Sequence, residues 1–106
     1  MSNETLKSEI CGKALSACRI RSSSAPAALV PMYRSIQNQL EVVIGYFEGR
    51  HKDHARLHDL NFGWMAVREM EDIDPELAGL LVEAFYVTSQ TARGLKLAPE
   101  FIAKYR

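Results

Sequence analysis

The sequence predicts an all-α protein, a four-helix antiparallel bundle, and three observations carry that reading. Apolar residues recur at intervals of three and four along the chain, the period of helices that each bury one face. Glycine, proline and serine cluster at a few points and divide the chain into four such segments. No stretch alternates apolar and polar residues long enough for a strand; Leu95-Lys96-Leu97 comes nearest and is too short.

The elements follow in order. In the first, near 3–20, Leu6, Ile10, Ala14 and Cys18 recur every four residues, with Ser2 or Asn3 as N-cap. The linker "SSSAP" (22–26) ends it. The second, near 27–48, carries Leu29, Tyr33, Ile36, Leu40, Val43 and Phe47 on one stripe. Pro31 stands in its first turn, where a missing N–H is tolerated, and Gly49 is the expected stop. The third, near 54–71, uses Leu57, Leu60, Trp64, Val67 and Met70. Gly63 interrupts it; because glycine costs about 1 kcal/mol against alanine inside a helix, a close helix approach or a kink is expected there. The fourth, near 75–93, opens on Asp74 as N-cap and Pro75 at N1. It runs through Leu80, Leu81, Ala84, Phe85 and Thr88 to Gly94 as the C′ residue. "LKLAPEFIAKYR" closes the chain with at most one further turn from Pro99. Short connections make sequential helices antiparallel neighbours, and 106 residues make one domain, 1–106.

Composition narrows the function. A charged content of 25% with no long apolar run fits a globular chain with no membrane span. The N-terminal residues lack the apolar core of a secretory signal, so the cytoplasm is the expected compartment. Cys11 and Cys18, seven apart on one helix, would have Cα atoms roughly 10 Å apart. That exceeds the roughly 7 Å reach of a disulfide, so both read as buried, reduced residues. The net charge is zero, but residues 1–56 carry eight Lys/Arg against five Asp/Glu, and residues 57–106 five against eight. No basic run occurs, so neither nucleic acid nor a membrane is an expected partner.

Catalytic signatures are missing: no G-x-S-x-G, no phosphate-cradling glycine loop, and no cysteine beside a histidine. The sequence reads as a non-enzyme without a cofactor. "HKDHARLH" is the one motif that needs weighing for metal. On a helix His51, His54 and His58 would lie within about 60° of one another, with Asp53 and Asp59 nearby. Gly49 places His51 in a loop, however, and adjacent turns of one helix seldom give three ligands to a tetrahedral ion. No metal is expected; a His-based metal-binding or regulatory helical domain stays as the alternative, and a self-associating bundle, a homodimer, as a third reading.

The stretch "REMEDIDPEL", residues 68–77, concentrates five carboxylates. Asp74 and Glu76 have a local structural task, because a helix N-terminus favours negative charge. Glu69, Glu71 and Asp72 stand at the end of the preceding helix, where the dipole disfavours them and Arg68 offsets only part of the cost. Locally unfavourable charge fits an external partner, and it equally fits a solvated turn, where such residues are common. Phe62 and Trp64 point about 200° apart on a helix. With Trp64 on the stripe, Phe62 projects elsewhere: to another helix, a second subunit or a partner. Phe85 and Tyr86 pose a weaker form of the same question. An aromatic residue with a charged rim is what a protein–protein hot spot needs, so Phe62, Glu69, Glu71 and Asp72 are the candidate contacts.

Residues 57–97 resemble the small all-helical immunity proteins of type VI secretion toxins, in particular those whose toxin is an NAD(P)+ glycohydrolase with an ADP-ribosyltransferase-like fold. The features that carry the resemblance are Leu57-His58, Leu60, Gly63, Ala66-Val67 followed by a basic residue and Glu69, "DPEL" at 74–77, Ala84, Tyr86 and "RGLK" at 93–96. The first two helices match in pattern and length only. The resemblance implies a cytosolic protein that binds a cognate toxin domain and occludes its active site. Related immunity proteins face toxins of different nucleotide chemistry, so it does not identify the toxin. A pocket that handles NAD+ or nucleotides attracts phosphate and is electropositive, which gives Glu69, Glu71 and Asp72 a complementary surface to meet.

Overall fold

The computed structural model describes residues 3–50 and 54–105. These residues are all-α, with five α-helices among them of which three are long: α1 (Asn3–Ser22), α2 (Val30–Phe47), α3 (Phe62–Met65), α4 (Pro75–Ala92) and α5 (Pro99–Ala103). Among the described residues there is no strand, and no helix is long and apolar enough to cross a membrane.

Helix α1 packs against both α2 and α4, and its sequence explains how. The side chains on its inner face are small: Cys11, Ala14 and Cys18 are all fully buried. Small side chains let neighbouring helix axes approach closely. The direction of each pairing is set by contacts at its ends. Lys7 near the start of α1 lies 5.7 Å from the Phe47 ring at the end of α2, and the Cys18 thiol near its end donates to the Tyr33 carbonyl at 3.7 Å. The last turn of α1 likewise reaches the first turn of α4 through Arg21. Both neighbours are therefore antiparallel to α1. The stripe expected on α2 is the buried one, with Tyr33, Ile36, Leu40 and Val43 in the core. From α4 come Leu77, Leu81, Ala84, Val87 and Thr88, and the buried Thr88 hydroxyl is satisfied by the Ala84 carbonyl at 2.8 Å.

The boundaries follow their signals. Pro31 occupies the first turn of α2, after a 3-10 turn at Ala27–Leu29. Gly49 and Gly94 take φ of 79° and 71°, the left-handed conformation that ends a helix and that glycine adopts without a Cβ clash. Asp74 caps α4, its side chain accepting from the Leu77 amide at 3.1 Å.

The third segment departs from expectation. In place of one helix over 54–71, the chain forms a 3-10 turn (His54–Asp59), a break at Leu60-Asn61, the single turn α3, and a π turn (Ala66–Met70). Two local causes are visible. Gln39 of α2 grips the break: its Oε1 accepts from the Asn61 amide at 2.7 Å, and its Nε2 donates to Asn61 Oδ1 at 2.8 Å. A backbone N–H that a continuous helix would satisfy is thus satisfied from outside. Gly63, two residues on, lies against Phe85 so closely that a Cβ there would stand 2.8 Å from the Phe85 Cβ. The close approach expected at Gly63 is present, while the helix break precedes it.

Candidate functional site

Helix α4 begins where the acid-rich stretch ends, and the structure divides its five carboxylates into two sets. Asp74 and Glu76 are structural. Arg21, from the last turn of α1, donates through Nε to Asp74 and through Nη2 to Glu76 at 2.5 Å. Its guanidinium is held further into its charged form by the bond to Glu76 and then by that to Asp74. Asp74 thus caps α4 and receives a cation in the same position. Nothing near Asp74 in the chain marks this partner, since Arg21 lies 53 residues away.

Glu69, Glu71 and Asp72 form the second set. All three are exposed and pair with no cation among the described residues. Glu69 lies near the end of the π turn, beside Met70, and Glu71 and Asp72 stand on the short turn that follows. Met70, fully buried, fixes its start, and its carbonyl accepts from the Ile73 amide at 3.1 Å and the Asp74 amide at 2.7 Å. Asp74, which caps α4 and is ion-paired to Arg21, fixes its end. Between these anchors Ile73 is 55% exposed.

Phe62 lies elsewhere. It is fully buried and meets Phe85 edge to face, with ring centroids 5.4 Å apart and planes at 87°. Of the three destinations open to it, it takes another bundle helix, so as a candidate surface contact it is corrected: no part of its side chain is available to a partner. The break before Phe62 also frees it from the angular relation to Leu57 and Leu60 that an unbroken helix would impose. Tyr86, on the neighbouring face of α4, accepts from the Ala98 amide at 2.9 Å and packs on Phe101 at 4.7 Å. It holds the C-terminal segment to α4.

Cys11 and Cys18 are buried free thiols. Burial pushes the Cys11 pKa up to about 12 and that of Cys18 to about 11, so neither is a nucleophile near neutral pH. Of the histidine motif, His51 and Asp53 lie outside the described residues. His54 and His58 fall in the 3-10 turn, with side chains also outside them. Among the described residues no three His, Cys, Asp or Glu side chains gather where they could hold a metal ion.

An all-helical chain with exposed acids that lack a cation partner among the described residues, and with its free thiols buried in an apolar core, has the build of a protein that acts by binding. Comparisons with known proteins identify which kind. The Tsi6 family model matches residues 6–90, so the chain belongs to the Tsi6 family; it is an immunity protein and not an enzyme. Immune protein Tsi6 of Pseudomonas aeruginosa is 40% identical over 63 residues, which cover 59% of this chain and 67% of that protein. A solved structure of Tse6 in complex with Tsi6 contains a chain that superposes with a TM-score of 0.78 at 33% identity, covering 85% of this chain and 94% of that one. The family match therefore reaches back into α1 and α2, where the sequence alone offered likeness of pattern and length.

Proposed function

We propose that the chain neutralises a cognate type VI secretion toxin in the cytoplasm of the producing cell, by binding the toxin domain one to one and occluding its active site. The toxin in this reading degrades NAD(P)+ or uses a related nucleotide. The observation that carries the proposal is the superposition on a chain from a toxin–immunity complex across nearly the whole of that chain. The exposed acids support it independently. Glu69, Glu71 and Asp72 give the turn a negative surface of the kind that a phosphate-binding pocket attracts, and such complementarity speeds capture of an incoming toxin. Phe62 has no place in that contact, since it lies in the core. The chain acts as a single domain, with a dimer of this chain as the competing assembly.

The test is a titration of toxin with purified protein. Nucleotide turnover should fall linearly to zero at one protein per toxin, with a single heterodimer by light scattering. Binding that leaves turnover intact would place the contact away from the active site. A stable homodimer that persists in the complex would replace the one-to-one assembly.

A further inference from the structure

With Phe62 buried, the expected contact has its charged rim but lacks an apolar centre. Four large hydrophobic side chains are substantially exposed among the described residues: Ile20, Ile73, Val82 and Leu95. Only Ile73 lies within the acid turn. It directly follows Glu71 and Asp72, both exposed and without a cation partner among the described residues, so an exposed apolar side chain stands next to two free acids. The turn is also tied at both ends. Two amide bonds to the Met70 carbonyl close it, the buried Met70 anchors one end, and the Arg21–Asp74–Glu76 bridge anchors the other. Contacts already held in their bound shape lose less freedom on association, and a desolvated centre inside a polar rim is the arrangement of a binding hot spot.

We infer that Glu71–Ile73 is a preformed toxin-contact element, with Ile73 as its apolar anchor and Arg21 of α1 as the positioning residue that holds the element in place. The occupant is the cognate toxin, through an apolar socket rimmed by lysine or arginine. The charge of the turn argues for that rim. Counting Arg68 and Arg21 against Glu69, Glu71, Asp72, Asp74 and Glu76, two cations face five carboxylates, a balance of −3. The inference rests on the toxin-binding reading above and adds to it a residue for the anchor and a residue for its support. Arg21 touches no toxin in this scheme. It acts through Asp74, and its own charge is spent on the two carboxylates.

The experiment is a kinetic binding series on the full chain with immobilised toxin domain. Ile73→Ala should raise the dissociation rate about tenfold with little change in association, the mark of a lost short-range anchor. Arg21→Ala should raise it by a similar factor and speed deuterium exchange at the Ile73 and Asp74 amides. Arg21→Lys, which keeps one ion pair, should recover part of the affinity. The double variant should lose less than the product of the single losses, since both remove one contact; a merely structural Arg21 would give independent effects. Glu71→Lys with Asp72→Lys serves as the reference. If that pair leaves binding unchanged, the toxin reading of this turn fails. If it weakens binding while Ile73→Ala and Arg21→Ala do not, the acids are a contact and the anchor inference is overturned.

Discussion

Arg21 and Asp74 are joined by an ion pair that spans 53 residues of chain and ties the last turn of α1 to the N-cap of α4. Asp74 therefore serves two structures at once. One carboxylate oxygen accepts from the Leu77 amide and the other from Arg21. Both side chains are largely shielded, at 26% and 21% exposure, so the pair is screened less than a surface bridge.

This double use sets the cost of losing Asp74. The cap contributes about 1 kcal/mol, and the partly shielded pair adds up to about 1 kcal/mol. Arg21 keeps Glu76 when Asp74 is removed, which limits the second figure. Asp74→Ala should cost up to about 2 kcal/mol. Asp74→Asn should cost about half as much, because asparagine caps a helix equally well and only the charge is lost. Thermal melts of the two variants decide the point. Equal losses would mean that the cap contributes nothing.

Gly63 makes a prediction of the opposite kind from its helix propensity. Alanine is the better helix former by about 1 kcal/mol, yet Gly63→Ala should destabilise. The new Cβ would overlap the Phe85 Cγ, and it would stand 2.8 Å from the Phe85 Cβ. Turning the ring relieves only part of this, since the Phe85 Cβ is fixed to the α4 backbone. Overpacking of this kind costs roughly 1–3 kcal/mol, a drop of several degrees in the melting temperature. A melting temperature at or above that of the parent would show that α3 moves freely against α4.

Much of this architecture is legible from residue type and spacing. The stripes of α1, α2 and α4 lie in the core or pack against it, and Asp74, Gly49 and Gly94 end or begin helices for reasons internal to the chain. Each depends on neighbours within a few residues. What failed depends on neighbours far away. The break before α3 is fixed by Gln39 from another helix, and Phe62 is buried against Phe85 of α4. The site divides in the same way. The structural role of Asp74 and Glu76 is local and legible, whereas their cation comes from α1. Ile73, lying between two helical stripes, carries no periodic signal to mark it as exposed.

The buried thiols predict an alkaline limit to stability. In the unfolded chain a cysteine ionises at its ordinary 9.0, whereas burial, only partly offset by the Thr88 hydrogen bond at Cys11 and by the Arg21 charge at Cys18, places Cys18 at about 11 and Cys11 at about 12. The folded state thus binds the proton more tightly. Its contribution is complete below pH 9 and is lost progressively as pH rises toward those values. Tyr105, raised by burial and then by its bond to Glu83, has the same sign. Denaturant melts should show stability unchanged by these groups from pH 7 to 9 and falling above it. Cys11→Ala/Cys18→Ala should flatten that decline even if it lowers stability overall. An unchanged slope would locate the alkaline transition elsewhere. Thiol reagents at pH 8 should label the native protein only as fast as it opens.

The last prediction separates the core from the contact. Phe62→Ala removes a fully buried ring that meets Phe85 edge to face, and such truncations cost roughly 3–5 kcal/mol. That is a large part of the stability of a domain this size. Phe62→Leu, which retains most of the volume, is the variant to carry into binding. Where folded, it should dissociate from toxin at the parent rate, because the side chain meets no partner. Charge reversal at Glu71 and Asp72 should do the converse: stability near that of the parent, and slower association. Attraction between the turn and a basic toxin surface is screened beyond about 8 Å at physiological salt, so the parent association rate should fall as salt rises, and the reversed variant should lose that dependence. Arg68→Ala is the internal control. It lies beside the acids and is exposed, so its loss should alter stability and dissociation only slightly while leaving the salt dependence in place. If association is independent of salt and the charge-reversed protein still protects cells, Glu69, Glu71 and Asp72 form a solvated turn. The toxin contact must then be sought on α1 and α2.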